Sequence, residues 1–130
     1  MAVSNLIKVL LIDDHVKVRQ GVRELLSSYP NIEVVGEAGD GEEGVHQVQQ
    51  LQPSVVVMDI SMPKMDGIMS TRLIKIQYPR ILVVGLSVFT QHSGQREEMI
   101  KAGAFEVIGK ERAVEELYSA IQKAVASLYP

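Results

Sequence analysis

The chain has no cysteine among its 130 residues, so neither a disulfide framework nor thiol chemistry is open to it, which fits a reducing cytoplasm. No apolar stretch approaches the ~20 residues of a membrane-spanning helix, and no signal peptide opens the sequence. Nothing is therefore expected to span or cross a membrane. A basic excess is lacking too, since 13 Lys and Arg face 16 Asp and Glu for a formal net charge of −3. Direct nucleic-acid binding by this domain is not expected, and if a parent protein acts on DNA another domain does the binding. Low-complexity tracts, repeats and linkers are also missing. What is present is 46% hydrophobic residues in a chain long enough to bury one core, so a single domain over 1–130 is expected.

Two apolar runs end in acid. Lys8-Val9-Leu10-Leu11-Ile12 runs into Asp13-Asp14, and Val55-Val56-Val57-Met58 runs into Asp59. Unbroken apolar runs of this length read as strands covered on both faces, hence as a parallel sheet, whose ligands bind beyond the carboxyl ends of the strands. Three carboxylates on one rim repel each other unless a cation compensates them. Oxygen-only donors point to Mg2+, which takes one or two carboxylates plus waters and phosphate oxygens. Two further runs supply a hydroxyl and an ammonium: Ile81 to Leu86 ends at Ser87, and Val107-Ile108-Gly109 ends at Lys110. Carboxylate nucleophile, metal, cation and hydroxyl together make a phosphoryl-transfer constellation.

The rest of the chain alternates strand and helix, which predicts an α/β, doubly wound architecture with right-handed crossovers. Val18, Val22, Leu25, Leu26 and Tyr29 recur at helical spacing until Pro30. Ile32 to Ala38 is a second strand, and Val45, Val48 and Leu51 mark a second helix before Pro53. A third helix follows Gly67, with Asp66 as its cap, and stops before Pro79. Gly94 to Ala102 is a weak fourth helix that depends on packing. Val114, Leu117, Ile121, Ala124, Val125 and Leu128 form the stripe of a fifth. On the third helix Ile68, Thr71, Ile74 and Tyr78 make one face while Met69, Leu73 and Ile76 make a second, a candidate partner surface.

At this point the chain resembles the CheY-like receiver domains of bacterial two-component response regulators. The resemblance runs from about Lys8 to Leu128 and rests on Leu11-Ile12-Asp13-Asp14-His15, on Val57 through Gly67, on Leu86-Ser87 and on Ala102-Gly103-Ala104 followed by Lys110. It implies a flavodoxin-like (βα)5 fold with a five-stranded parallel sheet in the order 2-1-3-4-5. It also implies Asp59 as phosphoacceptor, and Asp13, Asp14, Asp59 and the backbone carbonyl of Ser61 as the Mg2+ shell. Ser87 and Lys110 are then the switch hydroxyl and the lysine that pairs with the phosphoryl group. The implied partners are a sensor histidine kinase or phosphotransfer domain, with a downstream effector or a second copy receiving the signal through the α4-β5-α5 surface. The stretches Gly85 to Val88 and Lys110 to Tyr118 resemble receivers at the C-terminal end of hybrid sensor histidine kinases, the preferred setting. The front half also resembles receivers of LuxR or NarL type that precede a helix-turn-helix domain.

Three departures from the family pattern stand out. Val107 occupies a position usually aromatic, so aromatic coupling to the switch is absent. Val88 replaces the Ala or Gly that commonly follows the switch hydroxyl, which predicts slower entry of small phosphodonors and water. Glu111 replaces the usual proline after the lysine, and a trans bond is expected there because a cis bond without proline costs about 3 kcal/mol. Plainer roles are weighed beside these. Asp13 has a second reading as cap of the first helix, Met62, Met65 and Met69 are assigned to packing rather than to a soft-metal box, and His15, His46 and His92 to the surface, with His15 able to tune the neighbouring acids. A turnover phosphatase would place a second acid two residues after the first, where Ser61 stands. The alternative function is a phosphorylation-independent docking module on the same scaffold.

Overall fold

The computed structural model describes residues 6–62, 65–88 and 94–129. Pro63, Lys64 and His92 lie outside the described residues. The strands are β1 (Ile7–Ile12), β2 (Ile32–Ala38), β3 (Val55–Asp59), β4 (Leu82–Ser87) and β5 (Glu106–Gly109), and the helices are α1 (Val16–Ser27), α2 (Gly41–Leu51), α3 (Gly67–Gln77), α4 (Gln95–Ala102) and α5 (Ala113–Ala126). A single 3-10 turn, Lys110–Arg112, joins β5 to α5. The strands are all parallel, in the order β2-β1-β3-β4-β5.

Successive residues of a strand point to opposite faces, so a strand covered on both sides must be apolar throughout. Val9, Leu11, Val57 and Val84 meet Leu26 of α1 and Leu117 and Ile121 of α5 on one face. Leu10, Ile12, Val56 and Val83 meet Val48, Ile74 and Met99 of α2, α3 and α4 on the other. Register then aligns the strand ends. Ile12 lies beside Met58, Asp59 beside Leu86, and Ser87 beside Gly109, so Asp13, Asp59, Ser87 and Lys110 emerge on one rim.

Helix starts follow local chemistry. The Asp66 carboxylate accepts the Met69 N–H (2.9 Å) as the cap of α3, and Asp40 does the same for Glu43 in α2. Asp13 does not cap α1: His15 holds that position, and Asp13 Oδ1 accepts the His15 N–H at 2.8 Å. The α4 helix has eight residues and no side-chain cap among the described residues; buried Met99 and Ala102 anchor it. Two expectations need correction. Val114 is 71% exposed, because Ala113, Ala120 and Ala124 turn the buried stripe of α5 towards their own side and let the helix lie close to the sheet. Met69 is exposed rather than packed, together with Leu73 and Ile76 on the outer face of α3, while Thr71 and Ile74 are buried on the inner face. Ile76, 73% exposed, should tolerate Ile76→Lys with a melting temperature within about 2 °C of the parent, since surface changes stay near ±0.5 kcal/mol. A larger loss in a thermal melt would place that face in the core.

Every peptide bond among the described residues is trans, Lys110–Glu111 included. No described helix is long and apolar enough to cross a membrane.

Candidate functional site

The rim gathers opposite charges at short range. Asp13 and Asp59 are 4% and 3% exposed, and the Lys110 ammonium lies 3.0 Å from Asp13 Oδ2 and 3.3 Å from Asp59 Oδ1. One cation therefore bridges the carboxylates delivered by neighbouring strands. Burial, then the charge of Asp13, pushes the Asp59 pKa up to about 7, with Lys110 opposing the rise. Burial alone would lower the Lys110 pKa, but the Asp13 and Asp59 carboxylates outweigh it and the net shift is upward.

The acidic pair has further supports. His15 Nδ1 lies 3.1 Å from Asp13 Oδ1 and 3.1 Å from Asp14 Oδ1. The Arg19 guanidinium donates to the Asp13 carbonyl oxygen and, at 3.0 Å, to Glu37 on β2, which also takes Arg23 at 2.7 Å. The Arg23 hydrogen bond, more than Arg19, holds the Glu37 carboxyl below its usual range against the opposing effect of burial. Arg19 thus ties the end of β1 to β2 through α1. His15 is exposed, as its sequence position suggested, and its adjacency to Asp14 puts it against the acids it was expected to tune. Arg19 is a member of the site that the sequence did not single out, since its partner Glu37 is 18 positions away.

A metal fits this donor set. Asp59 Oδ2 is buried and has no hydrogen-bond donor among the described residues. Asp13 Oδ2 and Asp14 Oδ1 also lack a well-aligned donor, although Lys110 and His15 stand 3.0 and 3.1 Å from them. Buried carboxylate oxygens without donors are costly unless a cation compensates them. Asp14 and Ser61 open onto a cleft of about 430 Å³, also lined by Met62, Asp66 and Gln95.

Ser87 ends β4 on the same rim, with its hydroxyl donating to the Val88 carbonyl at 3.2 Å rather than turned into the acid cluster. Val88 is 69% exposed. Val107 is buried against Met99 and Gly85; a Cβ at Gly85 would stand 3.1 Å from the Met99 methyl and 3.2 Å from Val107 Cγ2. A small residue held this tightly leaves no aromatic side chain to rotate between inward and outward positions.

The response regulator receiver domain profile matches residues 9–122. The chain belongs to the response regulator receiver domain family. It is 41% identical over 121 residues to the transcriptional regulatory protein LiaR of Bacillus subtilis (strain 168), covering 92% of this chain and 56% of LiaR. It is 36% identical over 132 residues to a protein-glutamate methylesterase/protein-glutamine glutaminase of Nocardioides sp., covering 95% of this chain and 36% of that one. The crystal structure of the response regulator domain of Thermotoga maritima CheB superposes with a TM-score of 0.86 at 30% identity, covering 93% of this chain and 97% of that domain. The receiver thus spans about half of a transcriptional regulator and about a third of a methylesterase.

Proposed function

We propose that this receiver, a single domain over 1–130, accepts a phosphoryl group from a phosphohistidine onto Asp59 and thereby alters its α4-β5-α5 surface. The observation that carries the reading is Asp59 itself, a buried carboxylate level with Asp13 and bridged to it by Lys110. A carboxylate oxygen of Asp59 attacks phosphorus in line as the phosphorus–nitrogen bond to the donor imidazole breaks. The imidazole nitrogen keeps the electron pair, and an acyl phosphate forms on Asp59. Lys110 offers its ammonium to the new phosphoryl oxygens, and the Ser87 hydroxyl turns from the Val88 carbonyl to donate to one of them. Asp13, Asp14, Asp59 and the Ser61 carbonyl would hold Mg2+, which when bound supplies charge neutralisation on the transferring oxygens and on the clustered acids. Movement of Ser87 at the end of β4 would bias α4, which is short.

The partners in this reading are a sensor histidine kinase or phosphotransfer domain upstream and an effector domain or second copy downstream, in the cytoplasm, with no direct contact to nucleic acid or membrane. Ser61 stands where a turnover phosphatase would carry its acid, so the domain catalyses only its own phosphorylation and dephosphorylation. Intact-mass spectrometry with a small phosphodonor and with a phosphorylated histidine domain tests the reading. A Mg2+-dependent gain of one phosphoryl group, lost in Asp59→Asn, is expected, and a response to the protein donor alone would assign Val88 the role of a gate. No gain from either competent donor would turn the reading towards a phosphorylation-independent docking module.

A further inference from the structure

We propose that His15 makes the acidic centre a mixed oxygen and nitrogen site, with Nδ1 as a ligand that favours manganese- or cobalt-type divalent cations over Mg2+. This rests on the metal reading of Asp13, Asp14 and Asp59 above and adds to it one ligand and a selectivity.

The placement is specific. Asp13, Asp14, His15 and Asp59 each offer one ligand atom, and all four atoms lie within 4.8 Å of one another. Asp59 Oδ2, on a side chain only 3% exposed, is among the buried oxygens left without a donor among the described residues. Two ligands at right angles around a cation with bonds of ~2.1 Å stand ~3.0 Å apart. The separations from His15 Nδ1 to Asp13 Oδ1 and to Asp14 Oδ1 are both 3.1 Å. The backbone from which the ring projects is fixed: the His15 N–H is held by Asp13 Oδ1 at 2.8 Å, and the His15 carbonyl accepts the Arg19 N–H at 3.0 Å. The imidazole side chain is 60% exposed, so nothing buries it against a core, and its Nδ1 nonetheless faces the acids.

Hard Mg2+ gains little from imidazole, whereas nitrogen donors raise affinity in the order Mn2+, Fe2+, Co2+. A His15 that merely hydrogen-bonds the carboxylates would have to be displaced by any cation, and its removal would then affect all cations alike. The two roles therefore separate by metal.

Calorimetric titration of the whole chain and of His15→Gln with CoCl2 and with MgCl2 tests the proposal, with melting curves checking that the variant is folded. The expected result is a Co2+ dissociation constant at least tenfold weaker in His15→Gln, with the Mg2+ constant within about twofold of the parent. In the Co2+-loaded parent, one set of imidazole proton resonances should show a large paramagnetic shift that is missing from the variant, while the exposed His46 remains unshifted. Equal changes for both cations, an unchanged Co2+ constant, or no shifted imidazole would overturn the proposal while leaving the carboxylate site intact. Failure of the parent to bind either cation would overturn the carboxylate reading as well.

Discussion

Asp59→Asn is expected to raise the melting temperature of the metal-free domain at pH 8 by roughly 5–10 °C. A carboxylate that is 3% exposed, beside the charge of Asp13, is costly to ionise, and the rise of its pKa to about 7 measures that cost. A rise from the ordinary Asp range to about 7 corresponds to about 4 kcal/mol at most. The opposing pull of Lys110 is already contained in that pKa, and relaxation around the ionised carboxylate lowers the cost further, so about 2 kcal/mol is the expected net effect.

The sign with pH follows from linkage. The native-state pKa of Asp59 is above its unfolded value, so between about pH 4 and pH 7 the native state binds the extra proton. Stability contributed by that proton is fully present below the unfolded pKa and is lost as pH rises through the native one. The parent therefore loses stability across this window while Asp59→Asn does not, and the gap between them should open from near zero at pH 4 to its full size above pH 7. Melting curves in a chelator at pH 4.5 and pH 8 check this. A gap of the same size at both values, or a variant less stable at pH 8, would remove the electrostatic explanation. The stabilised variant is also the one expected to lose phosphorylation, so the cost of clustering acids is a cost of the site and not of the fold.

That separation between fold and site also explains what was legible in the sequence. Strands β1, β3 and β4 were legible because both of their faces are covered, which leaves Val9–Ile12, Val55–Met58 and Leu82–Leu86 without a charged or polar side chain. Their acidic or hydroxyl ends were legible for the same reason, as breaks in an apolar pattern. Strand order was not: the helical crossovers permit several orders, and 2-1-3-4-5 entered through family resemblance before the register showed it. Val114 was misplaced because helical periodicity sets the angle between side chains but not the angle of the stripe to the sheet. Small Ala113, Ala120 and Ala124 decide that angle by allowing close approach, and alanines contribute weakly to an apolar pattern. Arg19 was invisible for a different reason, since its acceptors, the Asp13 carbonyl and Glu37, are brought together only by the β1–β2 pairing.

Gly67→Ala should be the most damaging single-methyl change at the site. A Cβ there would stand 2.1 Å from the Asp59 carbonyl oxygen and 2.8 Å from Ile60 Cα, both backbone atoms that cannot rotate away. The Gly67 N–H also donates to the Ile60 carbonyl at 2.8 Å, so α3 begins pressed onto the end of the strand that delivers Asp59. Either α3 retreats, opening the layer around Ile74, or the end of β3 moves and carries Asp59 away from Lys110. A loss of about 3 kcal/mol is expected, at the upper end of overpacking costs, with a Mg2+ affinity at least tenfold weaker. Gly21→Ala provides the contrast: its added methyl meets nothing within 4 Å, and it lies inside α1, where alanine is favoured over glycine by roughly 1 kcal/mol. Denaturant melts should therefore move in opposite directions for two substitutions of identical chemistry. If Gly67→Ala melts like the parent and binds Mg2+ as tightly, the close packing of α3 on β3 is not what positions Asp59.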